Sequence, residues 1–143
     1  DEPVSSLDVS IQAQILNLLE DIREQRGLSM LFISHDLAAV KNVSDRIAVM
    51  YMGKLCEIAS SQSLYDTPLH PYTKALWGAI LSFVRLKDRQ KKYADSNHFP
   101  SPADPPSGCR FRTRCPRAGD ICSIKEPGLR QIASNHQVAC HFV

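Results

Sequence analysis

The chain has 143 residues, 43% apolar and 22% charged, with a formal net charge of +2 at pH 7. That length holds one ordinary domain with a sizeable core, or part of one with an appendage, and the composition excludes an intrinsically disordered chain. No apolar run approaches the roughly 20 residues that cross a bilayer, and the opening residues lack the layout of a signal peptide, so membrane contact is expected only through a protein partner.

In chain order, Asp8 can cap a helix whose Ile11, Ile15, Leu18 and Ile22 share one face, with Leu19 beside them and Gly27 as its stop. "MLFIS" (30–34) is a short unbroken apolar run of the kind found in a buried parallel strand, ending at His35-Asp36. "DLAAVKNVS" predicts a short helix with Leu37 and Val40 inward. "RIAVMYM" and "LCEIA" predict two strands joined by a tight turn at Gly53-Lys54. "SSQSLYD" predicts a helix of one or two turns closed by Thr67-Pro68. Pro71 suits a first helical position and opens "PYTKALWGAILSF", with Ala75, Leu76, Ala79 and Ile80 on one side and Tyr72 packed below. His70 is placed to cap that helix. From Arg85 to His98 the chain is charged and aperiodic, a linker or an exposed helix. "FPSPADPPSG" holds four prolines and reads as a stiff, extended lead-in to the cysteines.

Charge and cysteine are both lopsided. Residues 1–84 balance to −4 and residues 85–143 to +6, which predicts two pieces with a seam near Val84. Cys109, Cys115, Cys122 and Cys140 crowd the last 35 residues, a clustering that favours metal or cluster ligation over disulfides where no export signal is seen. Cys56 stands alone in a strand and reads as a buried apolar residue. The order of helix, buried strand, helix and strands is that of an α/β fragment, with a strand expected before residue 1.

"DEPVSSLD", followed by a helix, an apolar run and "SHD", resembles the second half of an ABC-transporter ATPase domain. In that family an apolar strand ends in Asp-Glu, the next turn is the D-loop, and a histidine follows the next strand. The resemblance implies the C-terminal portion of a P-loop NTPase domain of RecA-like fold. Asp1 then holds Mg²⁺ of Mg-ATP, through a bound water, because this hard cation keeps part of its hydration shell. Glu2 is the general base on the attacking water. His35 hydrogen-bonds the γ-phosphate. Ser5, Ser6 and Asp8 lie at the contact with a second ATPase domain. The phosphate-binding loop, glutamine loop and signature motif of the family are absent from residues 1–143, so this stretch alone is expected neither to bind ATP well nor to hydrolyse it.

"HPYTKAL", with the tail from "PSPADPPSGC" to "VACH", is similar to the C-terminal extension of the ATP-binding subunits of bacterial dipeptide and oligopeptide importers. Relatives with this tail also carry nickel or glutathione. The pattern C-x₅-C-x₆-C-x₁₇-C is present as Cys109, Cys115, Cys122 and Cys140, which in some members hold a [4Fe–4S] cluster. Four thiolates suit either such a cluster or a structural Zn²⁺, and the spacing is not the C-x₂-C knuckle of zinc. Arg110, Arg112, Arg114 and Arg117 interleave with the ligands and could offset the anionic charge of a cluster.

The division expected is residues 1–67 as ATPase part, 68–98 as helix and linker, and 99–143 as a small irregular Cys-rich extension. The function implied is an ATPase subunit powering peptide import at the cytoplasmic face of the membrane. Its partners are a second ABC ATPase subunit, transmembrane permease subunits and, indirectly, a peptide-binding protein, with no nucleic acid. The alternative is a zinc-binding, nucleic-acid-binding module using the basic tail, though that tail shows no groove-reading helix. A disulfide-stapled interaction domain fits neither the missing export signal nor the ATPase-like first half.

Overall fold

A computed structural model describes residues 1–82 and 100–143; the predicted seam at Val84 and the charged stretch Arg85–His98 lie outside the described residues. Two compact units form, Asp1–Asp45 and Arg46–Val143. No helix among the described residues is long and apolar enough to cross a membrane.

The first unit holds α1 (Val9–Arg26) and α2 (Leu37–Val43). The Asp8 carboxylate accepts from the Ile11 N–H at 3.0 Å, satisfying one orphan donor of the first turn, and Gly27 closes the helix. Asp36 caps α2 in the same way, its Oδ1 accepting from the N–H groups of Ala38 and Ala39. Val4, Leu16 and Ala39 form a small core, with Ile15, Phe32 and Val43 packed on it. The inward stripe of α1 is therefore Ile15-Leu16-Leu19, not the predicted Ile11, Leu18 and Ile22, all three exposed.

The predicted buried strand at 30–34 is not one. It carries no regular secondary structure, and Leu31 is 87% exposed. A strand needs a neighbour for its N–H and C=O groups, and the described pairing here is one bond, from the Glu2 N–H to the Ile33 carbonyl at 2.8 Å.

The second unit is built on an antiparallel sheet of β1 (Arg46–Tyr51), β2 (Lys54–Ser60), β3 (Arg130–Ala133) and β4 (His136–Val138), in the order β1-β2-β4-β3. The α/β class holds, and the sheet pairs antiparallel throughout, β1 and β2 as the predicted hairpin. Tyr51 pairs with Lys54, so the turn residues are Met52 and Gly53, one position before the predicted pair. Both have positive φ, +48° and +77°, as a two-residue turn matching strand twist demands. Ile47 and Val49 alternate inward along β1.

Helix α3 (Ser61–Asp66) and helix α4 (Pro71–Ser82) follow, with Pro71 as the first residue of α4 as read from sequence. The buried face of α4 is Thr73 and Trp77, one turn apart, whereas Ala79 is exposed and the Ile80 side chain lies outside the described residues. Trp77 packs on Tyr65, ring centroids 4.6 Å apart. The tail is less irregular than predicted. After a 3₁₀ turn at Arg112–Arg114 and the short α5 (Ile121–Ile124), it supplies β3 and β4, and β4 pairs with β2.

One buried carboxylate joins these pieces. Glu57 on β2 is 0% exposed; its Oε1 accepts from the Leu69 N–H at 2.8 Å and its Oε2 from the His70 N–H at 3.0 Å. His136 Nε2 lies 2.7 Å from Oε1. His70 is also buried, and burial pushes its pKa down to about 4, so the ring is neutral. Its Nδ1 accepts from the Tyr72 N–H at 3.0 Å, which makes it the cap of α4, and the ring also bonds the Ala139 backbone. "HPYT" is thus a structural device: the imidazole joins α4 to the end of β4.

A pH dependence follows from the direction of that shift. The unfolded His70 takes up a proton near its ordinary value of 6.5, and the folded one only near about 4. The unfolded chain therefore binds more protons in that window. Stability is expected to fall as the pH is lowered across it, by at most about 1.4 kcal/mol per unit. Urea unfolding between those two values checks this; a His70→Gln variant should show a shallower slope.

Candidate functional site

Asp1, Glu2 and His35 stand at one end of the first unit, where the opening turn meets the end of the 30–34 segment. Glu2 is brought there by its own backbone bond to Ile33. Its φ is +47°, a left-handed conformation uncommon for a residue with a side chain. Glu2 Oε1 lies 2.8 Å from His35 Nδ1 and also accepts from the His35 N–H at 3.2 Å. Two residues 33 positions apart in the chain thus share one oxygen. Oε2, the other oxygen of Glu2, is buried without a hydrogen-bond partner among the described residues. Asp1 is exposed beside it.

The pairing favours the protonated imidazole. The hydrogen bond to Glu2, then its negative charge, raise the His35 pKa above 6.5. With Nδ1 directed at Glu2, a proton on Nε2 requires the imidazolium, which the raised pKa favours. The side chain is 79% exposed, so a donor Nε2–H is offered to solvent or to a bound anion. Replacing Glu2 by Gln should return the His35 pKa towards an ordinary imidazole, as followed by NMR titration of the ring. An unmoved midpoint would mean that the pair does not form in solution.

Ser5 and Ser6 lie exposed in the turn after Glu2, Ser5 Oγ donating to the Glu2 carbonyl at 3.2 Å. Asp8 caps α1 as described, so its helix-cap role stands whatever else it touches. Gln12, Ser34 and Asp36 also carry this end of the unit, and the pairing of Gln12 with Asp36 has no signal in local sequence. Gln12 Nε2 donates to Asp36 Oδ2 at 2.6 Å, and the Asp36 N–H donates to Ser34 Oγ at 3.1 Å. Burial raises the Asp36 pKa, but the bonds from Gln12, Ala39 and Ala38 outweigh it and hold the carboxyl below its ordinary value.

The four tail cysteines are gathered in the second unit, and all five cysteines are unbridged. The Cys109 N–H donates to the Cys122 carbonyl at 2.8 Å. Gly108, φ +62°, permits this approach, because a Cβ there would meet the Cys122 carbonyl oxygen at 2.3 Å. Burial raises the Cys115 thiol, and the charges of Cys109, Cys140 and Cys122 raise it further; Cys109 is raised likewise by burial, then by Cys122 and Cys140. The four are therefore within electrostatic reach of one another. No three His, Cys, Asp or Glu side chains among the described residues converge as a single-ion site. Cys56 is buried and its thiol is pushed up to about 12, by burial first and then by Cys109, as its reading as an apolar core residue requires. Three of the interleaved arginines donate to backbone carbonyls: Arg110 to Met52, Arg112 to Ser107 and Arg117 to Phe142.

Comparison with known proteins bears on the class of the chain. Residues 56–122 match the family model described as Oligopeptide/dipeptide transporter, C-terminal region. Those residues carry the C-terminal region of that transporter family, and the rest of the chain is similar to peptide-transport ATP-binding proteins. It is 49% identical over 143 residues to the oligopeptide transport ATP-binding protein AppF of Bacillus subtilis, covering 99% of this chain and 44% of that protein. It is 50% identical over 141 residues to the oligopeptide transport ATP-binding protein OppF of Salmonella typhimurium, covering 98% of this chain and 42% of the relative. The chain thus spans less than half the length of the curated relatives it matches.

Proposed function

We propose that the chain is part of an ATP-binding, ATP-hydrolysing subunit that powers peptide import, seated at the cytoplasmic face of the membrane. The observation that carries this reading is the shared Glu2–His35 contact with an unpartnered oxygen beside it. Mg-ATP is the substrate, and the residues fit it: Asp1 is an exposed carboxylate for the hydrated Mg²⁺, and the Glu2 carboxylate stands beside it, paired with His35. Glu2, oriented by the contact of Oε1 with His35, takes the proton of the attacking water on its carboxylate. The His35 imidazolium donates from Nε2 to the terminal phosphate, where negative charge is concentrated. Ser5, Ser6 and Asp8, on the exposed turn beside the site, meet a second ATPase subunit. Permease subunits and a peptide-binding protein complete the assembly.

The test uses the full-length gene product. It should bind Mg-ATP and hydrolyse it, with turnover raised by its permease partners and peptide-loaded binding protein. Failure to bind nucleotide would sink the reading.

The tail thiols are the finer part of the proposal. A single zinc ion does not fit, since no three donors among the described residues converge. The [4Fe–4S] reading rests on the spacing of the four tail cysteines, whose thiolates are the ligands such a cluster takes. Cys109, Cys115, Cys122 and Cys140 would be its ligands, and a bound cluster supplies a rigid cross-link between the 3₁₀ turn, α5 and the chain after β4. Anaerobic purification should then give a brown protein containing iron and sulfide. A colourless protein lacking both would remove this part alone.

A further inference from the structure

The His35 turn is held from two sides, and only one of them is Glu2. The other begins at the start of α1. Asp8 caps that helix, and the Gln12 N–H bonds the Asp8 carbonyl at 2.9 Å in the first turn. From there the Gln12 side chain reaches 24 positions along the chain to Asp36 Oδ2, at 2.6 Å. Asp36 Oδ1 is already committed to the Ala38 and Ala39 N–H groups. Both oxygens of the residue next to His35 are therefore engaged, one to α2 and one to α1.

We infer that Gln12 is a positioning residue for His35: its amide, bonded to Asp36, ties the turn that carries the imidazole to the first turn of α1. The inference rests on the ATPase reading above. A carboxylate with only the two cap bonds would hold α2 but leave the turn free to rock about it. The amide bond to a charged partner is among the stronger hydrogen bonds available to a neutral side chain. The Gln12 amide is spent on Asp36, the neighbour of His35, so its effect is expected through His35.

The test compares three variants of the full-length gene product, each assayed where circular dichroism shows it fully folded. Gln12→Met keeps the shape and loses the bond; turnover should fall roughly tenfold, with nucleotide affinity retained. Gln12→Glu sets two carboxylates against each other and should fall further. Gln12→Glu combined with Asp36→Asn reverses donor and acceptor. The amide introduced at position 36 can donate to the carboxylate introduced at position 12 while its carbonyl keeps the cap, and turnover should be restored. A second readout needs no nucleotide: the His35 Nδ1–H signal held by Glu2 should broaden in Gln12→Met and return in the double variant.

Unchanged turnover and an unchanged His35 signal in Gln12→Met would overturn the inference, as would a loss that the double variant does not repair. A parallel Glu2→Gln arm separates the two levels. If turnover survives Glu2→Gln, the ATPase reading itself fails. If Glu2→Gln abolishes turnover while Gln12→Met does not alter it, only the positioning role is lost.

Discussion

A Glu2→Gln variant of the full-length gene product should still bind Mg-ATP yet turn it over roughly 10²- to 10⁴-fold more slowly, the contribution of a positioned general base. The substitution changes few contacts. Gln keeps the length and shape of the side chain, and its amide oxygen can still accept from the His35 N–H that Oε1 now serves. What disappears is the basic oxygen. The carboxylate is held by its contacts with His35, and an amide in its place cannot take a proton. Nucleotide affinity is expected to survive because the lost carboxylate charge no longer repels the phosphates, which offsets the weaker protonation of His35. The check is equilibrium nucleotide binding beside steady-state phosphate release. Unchanged release would strip Glu2 of its role and leave the His35 pair as a structural contact.

Truncating Glu57 to Leu should be the most damaging single change to stability, at about 3–5 kcal/mol, the range measured when one partner of a buried pair is removed. The carboxylate is wholly buried and serves three donors from two other segments, the connection before α4 and the strand β4. Leucine fills the space but leaves the Leu69 and His70 N–H groups and the His136 ring without acceptors, each carrying a desolvation penalty. Since a typical domain is stable by only about 5–15 kcal/mol, much of the second unit's margin would go. Glu57→Gln, which retains an acceptor oxygen, should cost less. Denaturant midpoints of the three proteins decide it, and a loss below about 1 kcal/mol for Leu would mean that the cluster is replaceable.

Much of the local structure was legible without coordinates. The caps at Asp8 and Gly27, the hairpin, the short helix before Thr67 and the proline start of α4 all depend on backbone groups within a few residues. Errors arose where an apolar pattern had to be assigned a partner. Residues 30–34 have the composition of a buried strand, but burial needs neighbours, and the described ones do not cover Leu31. On α4 the apolar side read from sequence was Ala75, Leu76, Ala79 and Ile80, whereas Thr73 and Trp77 are the pair turned inward. Periodicity identifies a face only when one face is clearly richer, and α4 is apolar nearly all round. The turn at Met52-Gly53 was misplaced by one residue because positive φ at a methionine has no sequence signature.

For the site, local sequence offered Asp1, Glu2 and His35 as candidates through their resemblance to a known arrangement, and the cysteine spacing in the same way. The chemistry of single residues and of short segments is what the chain alone determined: which groups can cap, turn, accept protons or ligate. Only the tertiary structure decided which of them meet. The Glu2–His35, Gln12–Asp36 and Glu57–His136 contacts close over 33, 24 and 79 positions. Hydrogen bonds act over a few ångströms, so a side chain's partner is set by how distant segments pack, a property that no local pattern of residues encodes.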